Sequence, residues 1–403
     1  MNSVAQQRKA RPDASGGALV ATAHEAGRAQ AAARPLVYTR ELSPLSPSAP
    51  QHDPETGEIL GGRRDHRALR AERFALKWEA MRLLPETHRT RKCMRWAVPR
   101  QHIQVWRTEQ QWRAFYHGLQ SCSMAWSCPL CAAKIGERRR EEAAKGIEQA
   151  HALGLQVWLL TLTIRHGAGD DLGDITDKMH AAWRRLWQDR AGKKLHAEAG
   201  IVGTIRALEV THGLVNGFHP HFHALVFFDP NRSDPAAWAR LPGLWLKRCE
   251  AVGLPAPDLM HGCRIDGGDH AGRYVAKGVW GLESEVTMGA LKSGRDGSRT
   301  PFDLLRDYRD GDKQAGAIWV AYREAMEGRR QLYWSNGLRQ LLDLVELTDE
   351  EIAHQKDDEG AALLATITGP QWKAIYRKRM ESTVLDLAES NPEALLAFLD
   401  VLS

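Results

Sequence analysis

Three histidines alternate along one short segment, His219-Pro220-His221-Phe222-His223. On a β-strand successive side chains point to opposite faces, so the three imidazoles would share one face while Phe222 points to the other. Neutral imidazole is a common metal ligand, and a pair of histidines leaves coordination positions open for a substrate oxygen. The spacing therefore favours a metal site on a strand over a polar strand face with incidental histidines.

A metal held by two histidines needs a further ligand, and Glu209 is the first candidate, with His219 next. Directly paired residues of antiparallel strands share a face, and Glu209 lies on the strand that precedes the histidines. Placing Glu209 on the histidine face requires a hairpin loop with an odd number of residues, which a plain two-residue Asn216-Gly217 turn is not. We therefore predict a bulged or longer loop if Glu209 is a ligand.

A tyrosine and a lysine follow in the segment from His270 to Lys277. On a helix His270, Tyr274 and Lys277 would lie on one face. A phenol, with its ordinary pKa of ~10, is a poor nucleophile unless a cation or a metal stabilises the phenolate, and Lys277 beside a metal-bound phosphate would meet that need. Taken alone, however, the segment fits a packed tyrosine and a solvated lysine on an ordinary helix better.

Four cysteines form the third group, with Cys122, Cys128 and Cys131 close together and Cys93 upstream. Four thiolates satisfy a closed, tetrahedral, structural Zn²⁺ site, and the turn between Cys128 and Cys131 has the spacing of a zinc knuckle. Free cysteines packed in a core are the competing interpretation.

Strands and helices must position these groups. The pattern predicts a buried central strand at 156–164, further strands at 201–212 and 219–228, and a short strand near 259–265, with amphipathic helices between them. Adjacent strands joined by a hairpin favour an α+β fold with a central antiparallel sheet.

The chain divides into four predicted regions. Residues 1–66 contain six of the 18 prolines and a single aromatic residue, which predicts a disordered arm. Residues 67–152 contain a basic helix and the four-cysteine zinc-binding subdomain. Residues 153–300 form the domain that carries the histidines, and residues 301–403 form a helical carboxyl-terminal region.

Composition limits the class of protein. Fifty-five Lys and Arg against 50 Asp and Glu give a net charge of +5, which permits nucleic-acid binding without requiring it. No apolar run approaches the ~18 residues of a membrane helix, and no secretory signal follows the amino terminus. We therefore expect a cytoplasmic protein without membrane association.

The ordered motifs together resemble those of bacterial rolling-circle plasmid replication initiators, which are HUH endonucleases. The resemblance covers roughly residues 90–340, and its motifs are Trp126 to Lys134, Leu160 to Thr163, Glu209 through His223, and Tyr274 to Lys277. It implies a ferredoxin- or RRM-like sheet with helices on one face, and it identifies residues 153–300 as an HUH nickase domain.

The resemblance also implies roles for individual residues. His221 and His223 would bind a catalytic Mg²⁺ or Mn²⁺, and Tyr274 would attack the DNA strand to form a 5′-phosphotyrosine and leave a 3′-OH primer. Lys277 would stabilise charge on the phosphate. Some relatives have a glutamate four residues before the tyrosine that activates water at termination, whereas this chain has His270 there, so Asp269 is a further candidate base.

The implied partners are plasmid origin DNA, single-stranded or cruciform at the nick site with adjacent duplex, and a host helicase with the replication machinery. Positive side chains around the first cysteine and in a downstream stretch are the candidates for DNA binding: Arg89, Arg91, Lys92, Arg95, Arg329 and Arg330.

Three alternatives remain open at this stage. One is a transposase of the same nuclease class, and another is a zinc-dependent DNA-binding regulator in which the histidines have only a structural role. The third is a metallohydrolase that acts on a small molecule. A regulator would keep full function when Tyr274 is replaced by Phe, and a metallohydrolase would be active without DNA.

Overall fold

The computed structural model describes residues 51–52, 59–60, 66–109, 112–267, 298–354 and 360–402. By their contacts these residues belong to one unit, Pro44–Ser403. The predicted arm, residues 1–66, lies outside the described residues except at 51–52, 59–60 and 66, so its disorder stays a prediction.

Helices make up most of the described secondary structure. They are α1 (His66–Leu83), α2 (Pro129–Ala152), α3 (Leu172–Gln188), α4 (Arg190–Glu198), α5 (Pro235–Glu250), α6 (Pro301–Arg309), α7 (Lys313–Met326), α8 (Leu338–Leu341), α9 (Asp349–His354), α10 (Gly369–Arg377), α11 (Glu381–Ser390) and α12 (Pro392–Val401). Side-chain capping stabilises the amino-terminal ends of α3 and α5, because the Asp171 and Asp234 carboxylates accept backbone hydrogen bonds in the first turns of these helices.

The strands are short except in the middle of the chain. They are β1 (Gln51–His52), β2 (Ile59–Leu60), β3 (Ile103–Thr108), β4 (Ala114–His117), β5 (Gln156–Thr163), β6 (Ile201–Gly213), β7 (Gly217–Phe228), β8 (Cys263–Asp266), β9 (Ser298–Arg299), β10 (Leu332–Trp334) and β11 (Ala361–Ile367).

A central sheet has the strand order β10-β6-β7-β5-β8, and β9 also pairs with β6. Every pair in it is antiparallel. The predicted α+β class with a central antiparallel sheet is confirmed.

Helices cover both faces of this sheet at β5. Leu160 and Leu162 pack against α3, α5, α6 and α7 on one face. Val157 and Leu159 pack against α2 and α8 on the other. The resemblance implied helices on one face only; the second layer explains the nearly unbroken apolar run of β5, because a strand covered on both sides needs apolar residues at odd and even positions.

A second sheet, in the order β11-β3-β4, packs against α1, α10, α11 and α12. Its strands come from opposite ends of the described chain, so residues from regions 67–152 and 301–403 share a sheet and a core. The described part of region 301–403 contains seven helices, α6 to α12, and it also supplies β10 and β11. Both strands are completed by partners far away in sequence, which local periodicity does not reveal.

In the part of the chain that the structure describes, none of the helices combines the length and apolar character needed to cross a bilayer.

Candidate metal centre

Glu209, His221 and His223 lie together on one face of the central sheet. Glu209 of β6 is directly opposite His221 of β7, and His223 is opposite Thr161 of β5. The Glu209 Oε2 atom is 3.6 Å from His221 Nε2 and 3.5 Å from His223 Nε2. One ligand atom from each residue lies within 4.8 Å of the others, so the three side chains can hold a metal ion.

The hairpin between β6 and β7 sets this arrangement. Gly213 pairs with Gly217, which leaves a three-residue loop, residues 214–216. The odd number matches the condition predicted from the sequence for Glu209 to share the histidine face. Gly217 has φ +71°, and a Cβ there would lie 2.9 Å from Ala168 Cα, so the position favours glycine.

The three side chains are nearly but not fully enclosed, with 11%, 12% and 14% of the His221, Glu209 and His223 side chains exposed. Thr161 Oγ1 lies 3.1 Å from His223 Nδ1. His221 Nδ1 lies 3.3 Å from the carbonyl oxygen of His219. Both contacts occupy Nδ1 and leave each Nε2 facing Glu209, which is how a second layer of hydrogen bonds orients metal-binding imidazoles.

His219 is adjacent to the Glu209, His221 and His223 group but is not part of it. Its ring stacks on that of His221 with centroids 5.1 Å apart. Its Nδ1 is 2.6 Å from His166 Nε2, and His166 Nδ1 is 3.1 Å from the Asn216 carbonyl oxygen. Burial and the adjacent His221 and His166 lower the pKa of His219 to about 3, so the ring is neutral at pH 7. Of the two candidates for the third ligand, the structure brings Glu209 to the histidine pair.

Sequence reasoning missed Thr161 and His166. Thr161 had a signal, because Thr161 and Thr163 interrupt an otherwise apolar strand on one face. His166 follows the end of β5 and has no signal of its own, since its contact with the β7 hairpin depends on the pairing of β5 with β7.

The four predicted cysteines converge in a second, buried group. Cys131 Sγ is 3.6 Å from Cys93 Sγ and 3.5 Å from Cys122 Sγ, and Cys128 Sγ is 3.7 Å from Cys93 Sγ. A tetrahedral tetrathiolate zinc ion, with Zn–S bonds of ~2.3 Å, spaces its sulfurs roughly 3.8 Å apart. All six cysteines of the chain are free and buried, so the group is not a disulfide framework.

Lys77 of α1 was not predicted and is fully buried near these sulfurs. Its ammonium group lies 4.9 Å from the centre of the Tyr376 ring, and Nζ has no hydrogen-bond partner among the described residues. Burial lowers the pKa of Lys77, against the opposing effect of charge at Cys93, Glu381 and Cys128. A zinc tetrathiolate carries two net negative charges, and a buried cation beside it fits that charge.

Tyr274, Lys277 and Asp269, the predicted catalytic residues, and His270 lie outside the described residues. Their roles stay predictions.

Two of the predicted DNA-binding side chains near Cys93 have structural contacts. Arg91 Nη1 donates to the Met81 and Leu84 carbonyl oxygens, at 2.7 and 3.0 Å, and so caps the end of α1. Arg89 Nη1 is 3.3 Å from the Glu350 carboxylate at the surface.

The other members of the predicted DNA-binding set differ in exposure. Arg95 stacks over Trp96, 4.8 Å from its ring centre, and Lys92 and Arg330 are exposed. Arg329 is held by the Ala325 carbonyl oxygen at 2.6 Å and by the Asp177 carboxylate. Lys92, Arg95 and Arg330 are therefore better placed to meet DNA than Arg91 or Arg329.

The fold and the two groups define a class: an α+β protein whose antiparallel sheet presents a Glu-His-His group able to bind a metal ion, and which also contains a buried four-cysteine cluster. Comparison with known proteins identifies the family within this class. Residues 114–235 match the family model described as "Replication protein". No solved structure matches the chain significantly.

Three relatives are similar over larger or smaller parts of the chain. "Protein rep" of Streptomyces lividans is 30% identical over 349 residues, which cover 68% of this chain and 76% of the relative. "Protein rep" of Lentilactobacillus hilgardii is 26% identical over 123 residues, 28% of this chain and 38% of the relative. A "Neomycin resistance protein" of Streptomyces cyanogenus is 32% identical over 159 residues, 34% of this chain and 36% of the relative. The chain belongs to the Rep family of plasmid replication initiators.

Proposed function

We propose that this protein starts rolling-circle replication by nicking one strand at a plasmid origin with a divalent metal ion, forming a 5′-phosphotyrosine, and later rejoining the strands. The observation that carries the proposal is the meeting of Glu209, His221 and His223 on one sheet face in a member of a replication initiator family. Alone, neither the metal site nor the family membership would specify a nickase.

Glu209, His221 and His223 would hold the catalytic Mg²⁺ or Mn²⁺. Two imidazoles and one carboxylate on one side of an ion leave positions open for phosphate oxygens. When bound, the ion supplies Lewis-acid stabilisation of charge that develops on a phosphate. Thr161 and the His219 carbonyl oxygen orient the two imidazoles, so the site is preorganised by the chain itself.

Tyr274 is the proposed nucleophile. Its phenolic oxygen attacks the scissile phosphorus, the bond from phosphorus to the 3′-oxygen breaks, and that oxygen takes up a proton to become the 3′-OH primer. Lys277 would stabilise the phenolate and the phosphate charge, and Asp269 would act as base at termination. Rejoining reverses the exchange when a 3′-OH attacks the phosphotyrosine.

Cys93, Cys122, Cys128 and Cys131 would hold a structural Zn²⁺. The sulfur spacing and the buried Lys77 both support this assignment. A closed set of four thiolates has no open position, so this ion would serve folding and leave the cutting to the other site.

Plasmid origin DNA is the proposed substrate, and a host helicase with the replication machinery would extend the new primer. The exposed Lys92 and Arg330 and the partly exposed Arg95 would contact its phosphates. This role assigns the protein to the bacterial cytoplasm, where plasmids replicate.

The test is incubation of the full-length protein with single-stranded DNA from its own plasmid's origin and Mn²⁺, resolved on a denaturing gel. We expect a downstream fragment joined to protein through its 5′-phosphate, absent in Tyr274→Phe and strongly reduced in His221→Ala. Tyr308→Phe and His151→Ala are the matched controls and should cleave normally.

Two outcomes would count against the proposal. Cleavage that survives Tyr274→Phe would remove this tyrosine from the chemistry. Origin binding by wild-type protein without cleavage, on any origin strand and with either metal, would instead support a DNA-binding regulator.

A further inference from the structure

Arg206 of β6 is a buried cation on the sheet face opposite Glu209. Only 8% of the Arg206 surface is exposed. The guanidinium carbon lies 4.6 Å from the centre of the Phe222 ring, 5.4 Å from that of Tyr333 and 5.5 Å from that of Trp183. Aromatic rings on several sides hold the guanidinium in place and exclude water from much of it.

No acidic side chain neutralises Arg206 in the part of the chain that the structure describes. The guanidinium makes no hydrogen bond or ion pair there, and its buried Nε has no partner. Burial, together with the charge of Arg184, lowers the pKa of Arg206 to about 10 despite the opposing effect of Tyr333. A desolvated cation is costly unless an anion accompanies it, and the described residues supply none at Arg206.

The surroundings of Arg206 are positive. Arg184 of α3 is exposed and, like Arg206, has no ion-pair partner among the described residues. The nearby carboxylate, Asp177, is already bonded to Arg329. His180 packs edge-on against Phe222, and burial and Arg206 lower its pKa to about 4, so it is neutral at pH 7. Among the described residues, therefore, neither Arg206 nor Arg184 is paired with a carboxylate.

Arg206 lies one strand in from the β10 edge of the sheet. Tyr333 lies opposite Arg206 on β10, the last strand in the sheet order. Its hydroxyl donates to Asn336 Oδ1 at 3.3 Å and is not buried. Arg206 is three residues along β6 from Glu209, which corresponds to about 10 Å. Since Arg206 and Glu209 point to opposite faces, a polyanion that contacts both would have to pass round the β10 edge of the sheet.

We propose that Arg206 and Arg184 form a binding site for a phosphodiester of DNA, at the β10 edge of the sheet and separate from the Glu-His-His group. A guanidinium fork matches two phosphate oxygens, and the ring contacts preorganise it. The inference rests on the proposed action on origin DNA but concerns binding, so it can be tested without cleavage.

The test measures binding of a fluorescent DNA duplex by anisotropy at several salt concentrations, without Mg²⁺ or Mn²⁺. Loss of one phosphate contact is expected to reduce the slope of log K against log[salt] by about 0.9. We expect this reduction in Arg184→Gln and in Arg206→Met, which keeps much of the buried side-chain volume. Lys193→Gln, an exposed charge loss on α4, is the control and should keep the wild-type slope.

Arg184 is exposed, so Arg184→Gln tests the site even if Arg206→Met is unstable. Slopes in Arg184→Gln equal to those in Lys193→Gln would overturn the proposal. So would efficient displacement of the duplex by ATP at constant ionic strength in wild type but not in Arg206→Met, which would indicate a nucleotide site.

Cleavage at saturating DNA separates this inference from the nickase proposal. A wild-type protein that binds DNA with the expected slope but does not nick would refute the nickase and leave the phosphate site standing.

Discussion

Thr161 shows how a single side chain outside the Glu-His-His group can orient a residue of the candidate metal site. Its hydroxyl is 3.1 Å from His223 Nδ1, so an Nδ1–H donating to it leaves Nε2 as the free ligand atom. Thr161→Val keeps the shape and removes the acceptor. We expect Mn²⁺ affinity to fall by roughly 10- to 100-fold, measured by titration calorimetry.

The control for this substitution is Thr163→Val, two residues along the same strand. Thr163 is opposite His221 in the strand register, but its hydroxyl donates to the His261 carbonyl oxygen at 2.7 Å. Equal Mn²⁺ affinity in the two valine variants would show that Thr161 does not orient His223.

Tyr322 of α7 is a packing residue by its environment. Its hydroxyl is buried without a hydrogen-bond partner among the described residues, and burial and Glu209 raise its pKa well above the usual value. Tyr322→Phe removes an unpaired polar group, so stability should be unchanged or higher by about 1 kcal/mol. Thermal melts check this, and normal origin cleavage by the variant is expected as well; a loss of cleavage would contradict a packing role.

At the scale of elements, the cysteine cluster joins segments that are separate in the chain. Cys93 lies beyond α1, Cys122 lies beyond β4, and Cys128 and Cys131 lie at the start of α2. Ile352 of α9 packs against the same cluster. A metal ion held there would connect α2, which covers part of the central sheet, to the segments that lead into the second sheet.

Cys128→Ser should therefore abolish zinc binding and destabilise the protein by on the order of 3 kcal/mol or more, because metal binding contributes directly to folding. Zinc content by atomic emission and thermal unfolding measure the two effects. Cys249→Ala is the control, since Cys249 is buried away from the cluster and should leave zinc content at one ion per chain. Full zinc content in Cys128→Ser would refute the site.

At the scale of the whole molecule, the two ends of the described chain are tied together by polar contacts as well as by the second sheet. The Glu389 carboxylate of α11 accepts hydrogen bonds from Arg70 of α1 and from the Ala114 backbone N–H of β4, the latter at 2.9 Å. Burial alone would raise the pKa of Glu389, but these bonds and His66 lower it to about 2.

This depressed pKa predicts the direction of a pH effect. Because the folded pKa lies below the usual value of 4.5, the ionised carboxylate stabilises the fold above pH ~4.5, and this stability is lost as the pH falls towards 2. Glu389→Gln should cost on the order of 3 kcal/mol at pH 7 and roughly half of that or less at pH 3. Denaturant unfolding at both pH values measures it.

Glu393→Gln, at an exposed position of α12, is the control for charge loss and should leave stability unchanged at either pH. A cost of Glu389→Gln that is the same at pH 7 and pH 3 would show that the carboxylate does not act through its charge.

The sequence by itself determined the parts of this protein that depend on local order. The side-chain period of a strand is two, so alternation placed His221 and His223 on one face. For the same reason, Glu209 could share that face only if the hairpin loop had an odd number of residues. The two-residue spacing between Cys128 and Cys131 likewise predicted a knuckle-like turn, whereas the fold decides that Cys93 and Cys122 meet them. Short-range geometry leaves few alternatives in each case.

Only the tertiary structure decided which distant segments meet. It places Glu209, and not His219, against the Nε2 atoms of His221 and His223. It also brings Thr161 to His223 and His166 to His219. It pairs β10 with β6 and β11 with β3. It also left Arg206 among aromatic rings without an acid. The physical reason is that these contacts form when distant segments bury a common core. Contacts between segments that are far apart in the chain produce no periodic pattern in the local sequence.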